Sequence, residues 1–297
     1  MKHLLPFMTL ALAIGGCASQ VSPSVQQTTQ PPDTEIFVAS VFEDENGRTR
    51  LGEPRNVTRR PGYDNQPAFT PEGDILYTRM SGDGSTDIWR ISEGGVGETR
   101  QITRTTESEY SPTPLPDGSF SVVRVESDQR QRLWKFLPDG TAVLVLPDLE
   151  PVGYHAWVVG GIVAFVLGEP PTLVFADPED ATPPRVVAEN PGRALVPLGA
   201  NEVAFVRKSD HPRWELHAFD ASSGAIRAIA RMPGQIEDFT VDPGGRIWTG
   251  DDSKILRLNP STLSWEVIAD FSGRGIGNIT RMAFSPDGLR LAFVSQK

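Results

Sequence analysis

The sequence predicts an all-β protein folded as a six-bladed β-propeller of four-stranded antiparallel blades. The main observation is a turn signature that recurs every forty-odd residues, a period typical of one propeller blade. The copies are Thr70-Pro71-Glu72-Gly73, Leu115-Pro116-Asp117-Gly118, Val159-Gly160-Gly161, Ala200-Asn201, Pro243-Gly244-Gly245 and Ser285-Pro286-Asp287-Gly288. The turns end at residues 73, 118, 161, 201, 245 and 288, so the steps are 45, 43, 40, 44 and 43 residues. Six turns predict six blades.

The segments around each turn have strand patterns. In the first full repeat, Pro67-Ala68-Phe69 precedes the turn and residues 74–78 follow it, which predicts a hairpin. Residues 87–91 predict a third strand and residues 99–103 a fourth. The second repeat follows the same order, and Trp89 and Trp134 lie at the same distance beyond their turn glycines.

The sixth blade is incomplete at the C-terminus. After the last turn only one strand pattern remains, residues 289–294. Residues 35–41 resemble a third strand and residues 49–58 a fourth, with the Asn46-Gly47 turn between them. We therefore predict that N-terminal strands complete the last blade, which removes the open edges of the repeat array.

The N-terminus predicts export. Lys2 and His3 precede an apolar run over residues 4–14, which is too short to span a bilayer and is typical of a signal peptide. The sequence Ile14-Gly15-Gly16-Cys17 resembles the lipobox of bacterial lipoproteins, and Cys17 is the only cysteine. The alternative is ordinary signal-peptidase cleavage after Ala18, with Cys17 incidental.

This interpretation gives the domain organisation. It predicts a lipoprotein signal peptide at residues 1–16, a lipidated Cys17 with a disordered Pro/Gln/Ser/Thr tether over residues 17–34, and the propeller over residues 35–297. The expected location is the periplasmic side of the outer membrane, with membrane contact through the lipid anchor only. The formal net charge of −10 disfavours nucleic acid as a partner.

The repeat itself resembles a known family. Asn56-Val57-Thr58 or Gln101-Ile102-Thr103 is followed by a polar loop, Pro, an aromatic residue, Pro-Asp-Gly, a short strand and Asp-Ile-Trp. This pattern resembles the WD40-like repeat of TolB-family propellers, most clearly over residues 56–103 and 278–294. The resemblance implies the fold, whereas the function has to be argued from the site.

The first place to look for a site is the mouth of the central channel. In a propeller, the loop before the innermost strand of each blade lines this mouth. Aligning the repeats on their turns places these polar residues there: Tyr63, Asp64, Asn65, Glu109, Tyr110, Tyr154, His155, Arg193, Glu237, Asp238, Asn278 and Arg281. Their identities differ between blades, as in an asymmetric binding surface, so we expect an envelope protein or peptide to bind there. The alternative is that these are solvated loops whose side chains only stabilise turns.

Two further functions stay open. The segment from Gly245 to Pro260 is faintly similar to gluconolactonase-like calcium-dependent hydrolases, in which case Asp64, Asn65, Glu109, Glu237, Asp238 and Asn278 would bind the ion. Arg193 and Arg281 at the same mouth would repel a dication, so the main prediction includes no catalytic residue and no cofactor. The third possibility is a structural envelope component without a discrete ligand.

Overall fold

The computed structural model describes residues 31–180 and 182–296, whose strands form six sheets arranged as the blades of a propeller. The proposed signal peptide, Cys17 and most of the proposed tether lie outside the described residues. In the described part of the chain, no helix is long and apolar enough to cross a membrane. The two helical segments are single turns, Glu93–Gly95 and Ser272–Arg274.

Blades 1 to 3 are consecutive four-stranded antiparallel sheets. Within each blade the strands are paired in chain order, as the hairpin patterns predict. Blade 1 contains β4 (Asp64–Phe69), β5 (Ile75–Met80), β6 (Thr86–Ile91) and β7 (Thr99–Gln101); blade 2 contains β8 (Ser108–Pro114), β9 (Phe120–Val125), β10 (Gln131–Phe136) and β11 (Ala142–Leu144); blade 3 contains β12 (Val152–Val158), β13 (Gly161–Val166), β14 (Thr172–Ala176) and β15 (Arg185–Glu189).

Blades 4 to 6 follow the same plan, except that blade 6 combines both ends of the chain. Blade 4 contains β16 (Pro191–Pro197), β17 (Glu202–Arg207), β18 (Glu215–Asp220) and β19 (Ile226–Arg231); blade 5 contains β20 (Phe239–Val241), β21 (Ile247–Asp251), β22 (Lys254–Leu258) and β23 (Trp265–Asp270); blade 6 contains β24 (Thr280–Phe284), β25 (Arg290–Gln296), β1 (Thr34–Glu43) and β2 (Thr49–Leu51), with β3 (Arg55–Asn56) also paired to β1.

Ring closure through the N-terminal strands is confirmed. The strand β1 lies between β25 and β2 and pairs antiparallel with both. Phe37 lies opposite Phe293, and the two rings stack with centroids 5.8 Å apart. The Phe293 side chain is fully buried and Phe37 packs at the edge of the same cluster. The last blade is therefore held by hydrophobic contacts as well as by hydrogen bonds.

The core consists of six clusters, each between two neighbouring blades of the described ring. Because successive side chains of a strand point to opposite faces, each inner strand supplies two clusters. In β17, Val203 and Phe205 pack against blade 3, whereas Ala204 and Val206 pack against blade 5. This explains why these strands are nearly continuous apolar runs.

The channel is bounded by the innermost strand of each blade: β4, β8, β12, β16, β20 and β24. Each of these strands contacts its neighbours around the ring. Since all six run in the same direction along the channel, the loops that precede them meet at one end. This arrangement brings the polar segments identified in the sequence to a common mouth.

Candidate binding site at the channel mouth

Five of the six innermost strands shift register, and three of them do so around a left-handed residue beside the channel. The register of β4, β8 and β24 shifts within the strand, and at each shift a non-glycine residue has a left-handed backbone: Gln66 with φ 58°, Ser111 with φ 54° and Arg281 with φ 49°. This conformation costs about 1–2 kcal/mol for a residue with a Cβ atom. Bulges redirect side chains, and all three residues line the channel cavity.

The cavity has a volume of about 160 Å³. That is room for a few water molecules, which take roughly 30 Å³ each in the liquid, or for one small chemical group. Every blade contributes to its lining. The polar lining residues are Gln66, Ser111, Thr113, Tyr154, His155, Arg193, Asp238 and Arg281.

Arg281 spans the channel. It belongs to blade 6, and its Nη2 donates to the Tyr154 hydroxyl of blade 3 at 2.8 Å. The guanidinium carbon lies 4.7 Å from the centroid of the Tyr154 ring, so the pair is also a cation–π contact. The Arg281 Nε lies 3.5 Å from Asp238 Oδ1. One guanidinium thus links blade 6 to blade 3 across the ring and to the neighbouring blade 5.

Arg193 lies near Arg281, and both pair with Asp238. Its Nη2 lies 2.5 Å from Asp238 Oδ2 and its Nε 3.3 Å from Glu237 Oε1. Glu237 also pairs with Lys208 at 2.5 Å. Burial lowers the pKa of Arg193, but the hydrogen bond and charge of Asp238 and the charge of Glu237 raise it more, so the net shift is upward. Arg193 is therefore a permanent cation at the mouth.

His155 is buried in the wall of the cavity. Its side chain is 6% exposed, and burial lowers its pKa to about 3, so the imidazole is neutral at physiological pH. Its Nε2 lies 2.6 Å from Ser121 Oγ, which also accepts a hydrogen bond from Trp157 Nε1 at 2.8 Å. Its Nδ1 has no hydrogen-bond partner among the described residues.

Tyr63, Asp64 and Asn65 lie at the start of blade 1. Burial raises the pKa of Tyr63. Tyr63 also interacts electrostatically with Arg281, Tyr154, Tyr110 and Arg193, so it lies close to these residues of the channel mouth. Asp64 is fully buried and pairs with Arg60 at 2.9 Å. Burial raises the pKa of Asp64 to about 6, against the opposing charges of Arg60 and Arg79.

Asn65, also buried, donates from its amide to Thr34 Oγ1 at 3.3 Å, and its carbonyl oxygen accepts the backbone N–H of Gln66. This side chain thus ties the first innermost strand to the first residue of β1.

Glu109 and Tyr110 lie between blades. The Glu109 carboxylate is fully buried, accepts from the hydroxyls of Thr103 and Thr105, and lies 3.2 Å from Arg124 Nε. Burial raises the pKa of Glu109. Tyr110 packs against the hydrophobic cluster between blades 2 and 3. Asn278 is exposed, and its backbone N–H donates to Asp252 Oδ1.

Comparisons with known proteins agree with this architecture. No protein-family model and no curated protein matches the chain. Among solved structures, a putative TolB from Agrobacterium tumefaciens superposes with a TM-score of 0.64 at 13% identity, covering 90% of this chain and 99% of that one. TolB from Acinetobacter baumannii gives 0.53 at 14% identity, covering 91% and 66%. The fold is that of a TolB-like propeller.

A similar fold also occurs in a protein with an enzymatic activity. A gluconolactonase from Xanthomonas campestris superposes on this chain with a TM-score of 0.60 at 12% identity, covering 90% of this chain and 98% of that one. At such identities the likeness concerns the fold alone, so the function of this chain has to be argued from its own side chains.

The carboxylates near the channel mouth are paired with arginines. Within residues 31–180 and 182–296, no three His, Cys, Asp or Glu side chains converge as metal ligands would. Asp64 and Glu109 are paired with Arg60 and Arg124, and Asp238 lies between two guanidiniums. Carboxylates already neutralised by arginine are poor ligands for a hard cation.

Gln66, Ser111 and Lys208 also belong to the site, although they are not among the site residues predicted from the sequence. Gln66 Oε1 accepts the backbone N–H of Ser111 at 2.9 Å, which links the bulges of blades 1 and 2. For Gln66 and Ser111 the only local signal is the proline that follows each, Pro67 and Pro112. A proline disfavours the helical region for the preceding residue, but it does not reveal a left-handed bulge.

Proposed function

We propose that this TolB-like propeller is a non-catalytic binding module of the bacterial cell envelope that captures a protein or peptide partner at the channel mouth. The observation that carries the proposal is the Arg281–Tyr154 pair beside the Arg193–Asp238 ion pair. Arginine and tyrosine bury apolar surface while they offer directed hydrogen bonds, which is the composition of protein-binding hot spots.

The electrostatics of the mouth support the same role. Arg193, Lys208 and Arg281 face the two carboxylates Glu237 and Asp238, so this cluster has one more positive than negative charge. The whole chain carries a formal net charge of −10. A positive mouth on an acidic protein favours one approach direction for an acidic partner.

Site-specific photo-crosslinking in cells tests the proposal. A photoreactive phenylalanine replaces Tyr63, which lies beside Arg281 and Tyr154 at the channel mouth. In a control chain it replaces Val267 on β23, whose side chain is 56% exposed. We expect a discrete crosslinked product from position 63 and none from position 267. The product should disappear when Arg281→Ala and Tyr154→Ala are introduced together. Equal crosslinking from both positions would show that the mouth is not the interface.

The calcium-dependent hydrolase is the alternative that the same protein can test. That function requires bound calcium in the purified protein and turnover of lactone or ester substrates that is lost on Glu237→Gln. Elemental analysis and a lactone assay of the full chain decide between the two, since the binding module requires neither.

The proposal includes envelope anchoring through Cys17, which follows the apolar run of the N-terminus. Each buried acyl CH₂ contributes about 0.8 kcal/mol, and stable anchoring needs more than one chain. Cys17→Ser should move the protein to the soluble fraction or leave it unprocessed. Membrane association of a processed Cys17→Ser chain that survives a high-salt wash would contradict the anchor.

A further inference from the structure

The hydrogen-bond network assigns the tautomer of His155. Trp157 Nε1 can only donate, so Ser121 Oγ accepts from it. Among the described residues His155 Nε2 is the one remaining partner of Ser121 Oγ, so the buried hydroxyl proton has an acceptor only if that nitrogen is unprotonated. The neutral imidazole then carries its proton on Nδ1. Nδ1–H is a buried donor without a partner in the described part of the chain, on a residue that lines the channel cavity.

Further donors line the same cavity. Ser111 Oγ is buried and has no hydrogen-bond partner among the described residues. The Tyr154 oxygen accepts from Arg281, so its own proton is available to another group. The two contacts of Arg281, to Tyr154 and to Asp238, leave several of the five guanidinium N–H groups for a further acceptor.

The acceptors are fewer than the donors. Asp238 is the one carboxylate that lines the cavity, and Arg193 and Arg281 both act on it. A buried donor without an acceptor costs free energy, roughly 1–3 kcal/mol for each group. A ligand that brings acceptor oxygens would remove this cost, and a negatively charged one would also balance the excess positive charge.

We propose that the channel cavity anchors a carboxylate of the bound partner, held by Arg281 together with His155 Nδ1–H and Ser111 Oγ–H. This proposal rests on the partner-binding function above and specifies its chemistry. A carboxylate offers two oxygens that accept a bidentate guanidinium contact, and it is small enough for a cavity of about 160 Å³. The group is either the α-carboxylate of a chain end or the side chain of an Asp or Glu residue.

A peptide titration tests the anchor with the full chain purified in mild detergent and labelled with ¹⁵N in its arginine and histidine side chains. Three probes are compared: Ac-Gly-Trp-Gly-OH with an α-carboxylate, Ac-Gly-Trp-Asp-NH₂ with a side-chain carboxylate, and the neutral Ac-Gly-Trp-Asn-NH₂. We expect at least one acidic peptide to bind about tenfold or more tightly than the neutral peptide. Binding should shift the Arg281 Nε and His155 Nδ1 resonances, and the preferred acidic peptide identifies the source of the carboxylate.

Variants test whether the cavity residues cause the preference for the acidic peptide. Arg281→Gln should abolish the preference for the acid, whereas Arg227→Gln, at an exposed arginine of blade 4, should leave it unchanged. Ser111→Ala removes one donor with little risk to folding and should reduce the preference about threefold.

Equal binding of acid and amide, a preference that survives Arg281→Gln, or absence of any channel resonance shift would overturn the proposal. If any of these results is obtained while position 63 still crosslinks a partner in cells, the carboxylate proposal fails and the binding function stands. If crosslinking fails as well, both fail.

Discussion

Glu109 and Ser111 lie two residues apart on one innermost strand, yet they belong to different regions of the molecule. Glu109 is enclosed between blades by hydroxyls and Arg124, whereas Ser111 lines the channel. The same contrast separates Asp64 from Gln66 in blade 1. Without a bulge, residues two apart would point to the same face. The left-handed residue in each bulge separates an inter-blade region, which stabilises the ring, from a channel region, which is open to a ligand.

The largest expected effect is on the inter-blade side. Glu109→Ala removes a carboxylate that is fully buried and leaves Arg124, itself 6% exposed, with Glu107 as its remaining ion-pair partner. Breaking a buried pair typically costs about 3–5 kcal/mol. We expect a loss of that size in the free energy of unfolding, measured by urea denaturation. The matched control, Glu98→Ala on the exposed outer loop of blade 1, should change it by less than about 0.5 kcal/mol.

Because of Asp64, the stability of the same region should fall as the pH rises from about 4 to about 7. Burial raises its pKa in the folded protein to about 6, above the ordinary aspartate value of 3.8. The folded state therefore holds this proton more tightly than the unfolded state, and its contribution to stability falls as the pH rises between the two values. Relative to wild type, Asp64→Asn should gain about 2–3 kcal/mol between about pH 4 and about pH 7. Urea titrations across this range measure the difference; a constant offset would contradict the assignment.

His155, on the channel side, should behave in the opposite way. Burial lowers its pKa to about 3 from the ordinary histidine value of 6.5. Its contribution is complete above about pH 6.5 and is lost as the pH falls, because the unfolded chain takes up the proton first. Between about pH 6.5 and pH 4.5 the wild type should lose about 2–3 kcal/mol relative to His155→Gln. If both proteins lose stability in parallel, the imidazole is solvated and the buried Nδ1–H donor does not exist.

The smallest effect on stability is expected for the residues that matter most for binding. Arg281→Ala together with Tyr154→Ala should change the free energy of unfolding by no more than about 1 kcal/mol. The same double variant should weaken partner capture by about 2 kcal/mol or more. A large loss of stability would instead place Arg281 among the inter-blade residues and remove the contrast between the two regions.

Much of the fold follows from local patterns. The alternation of apolar and polar residues and the spacing of the turns can be read directly from the sequence. They predict the turn period, the strands around Trp89 and Trp134, and the closure of blade 6 by residues 35–41. The contact between Tyr154 and Arg281 depends on the diameter of the closed ring, which no local pattern encodes. The bulges at Gln66 and Ser111 are equally invisible, since neither residue is a glycine and their left-handed φ is imposed by tertiary contacts.

The pairing of β1 with β25 also has a consequence for the order of events during synthesis. The strand β1 precedes blades 1 to 5 in the chain and its partner β25 follows them, so Phe37 lacks its stacking partner until Phe293 has been made. At a typical elongation rate of about 5–20 residues per second, β1 remains without that partner for on the order of ten to fifty seconds. Blades 1 to 5 can form in turn during this interval, whereas blade 6 cannot. A chain that is released before β25 has been made therefore has an unpaired edge on β1. Blade 6, and with it the closed ring, forms only after β25 has been synthesised.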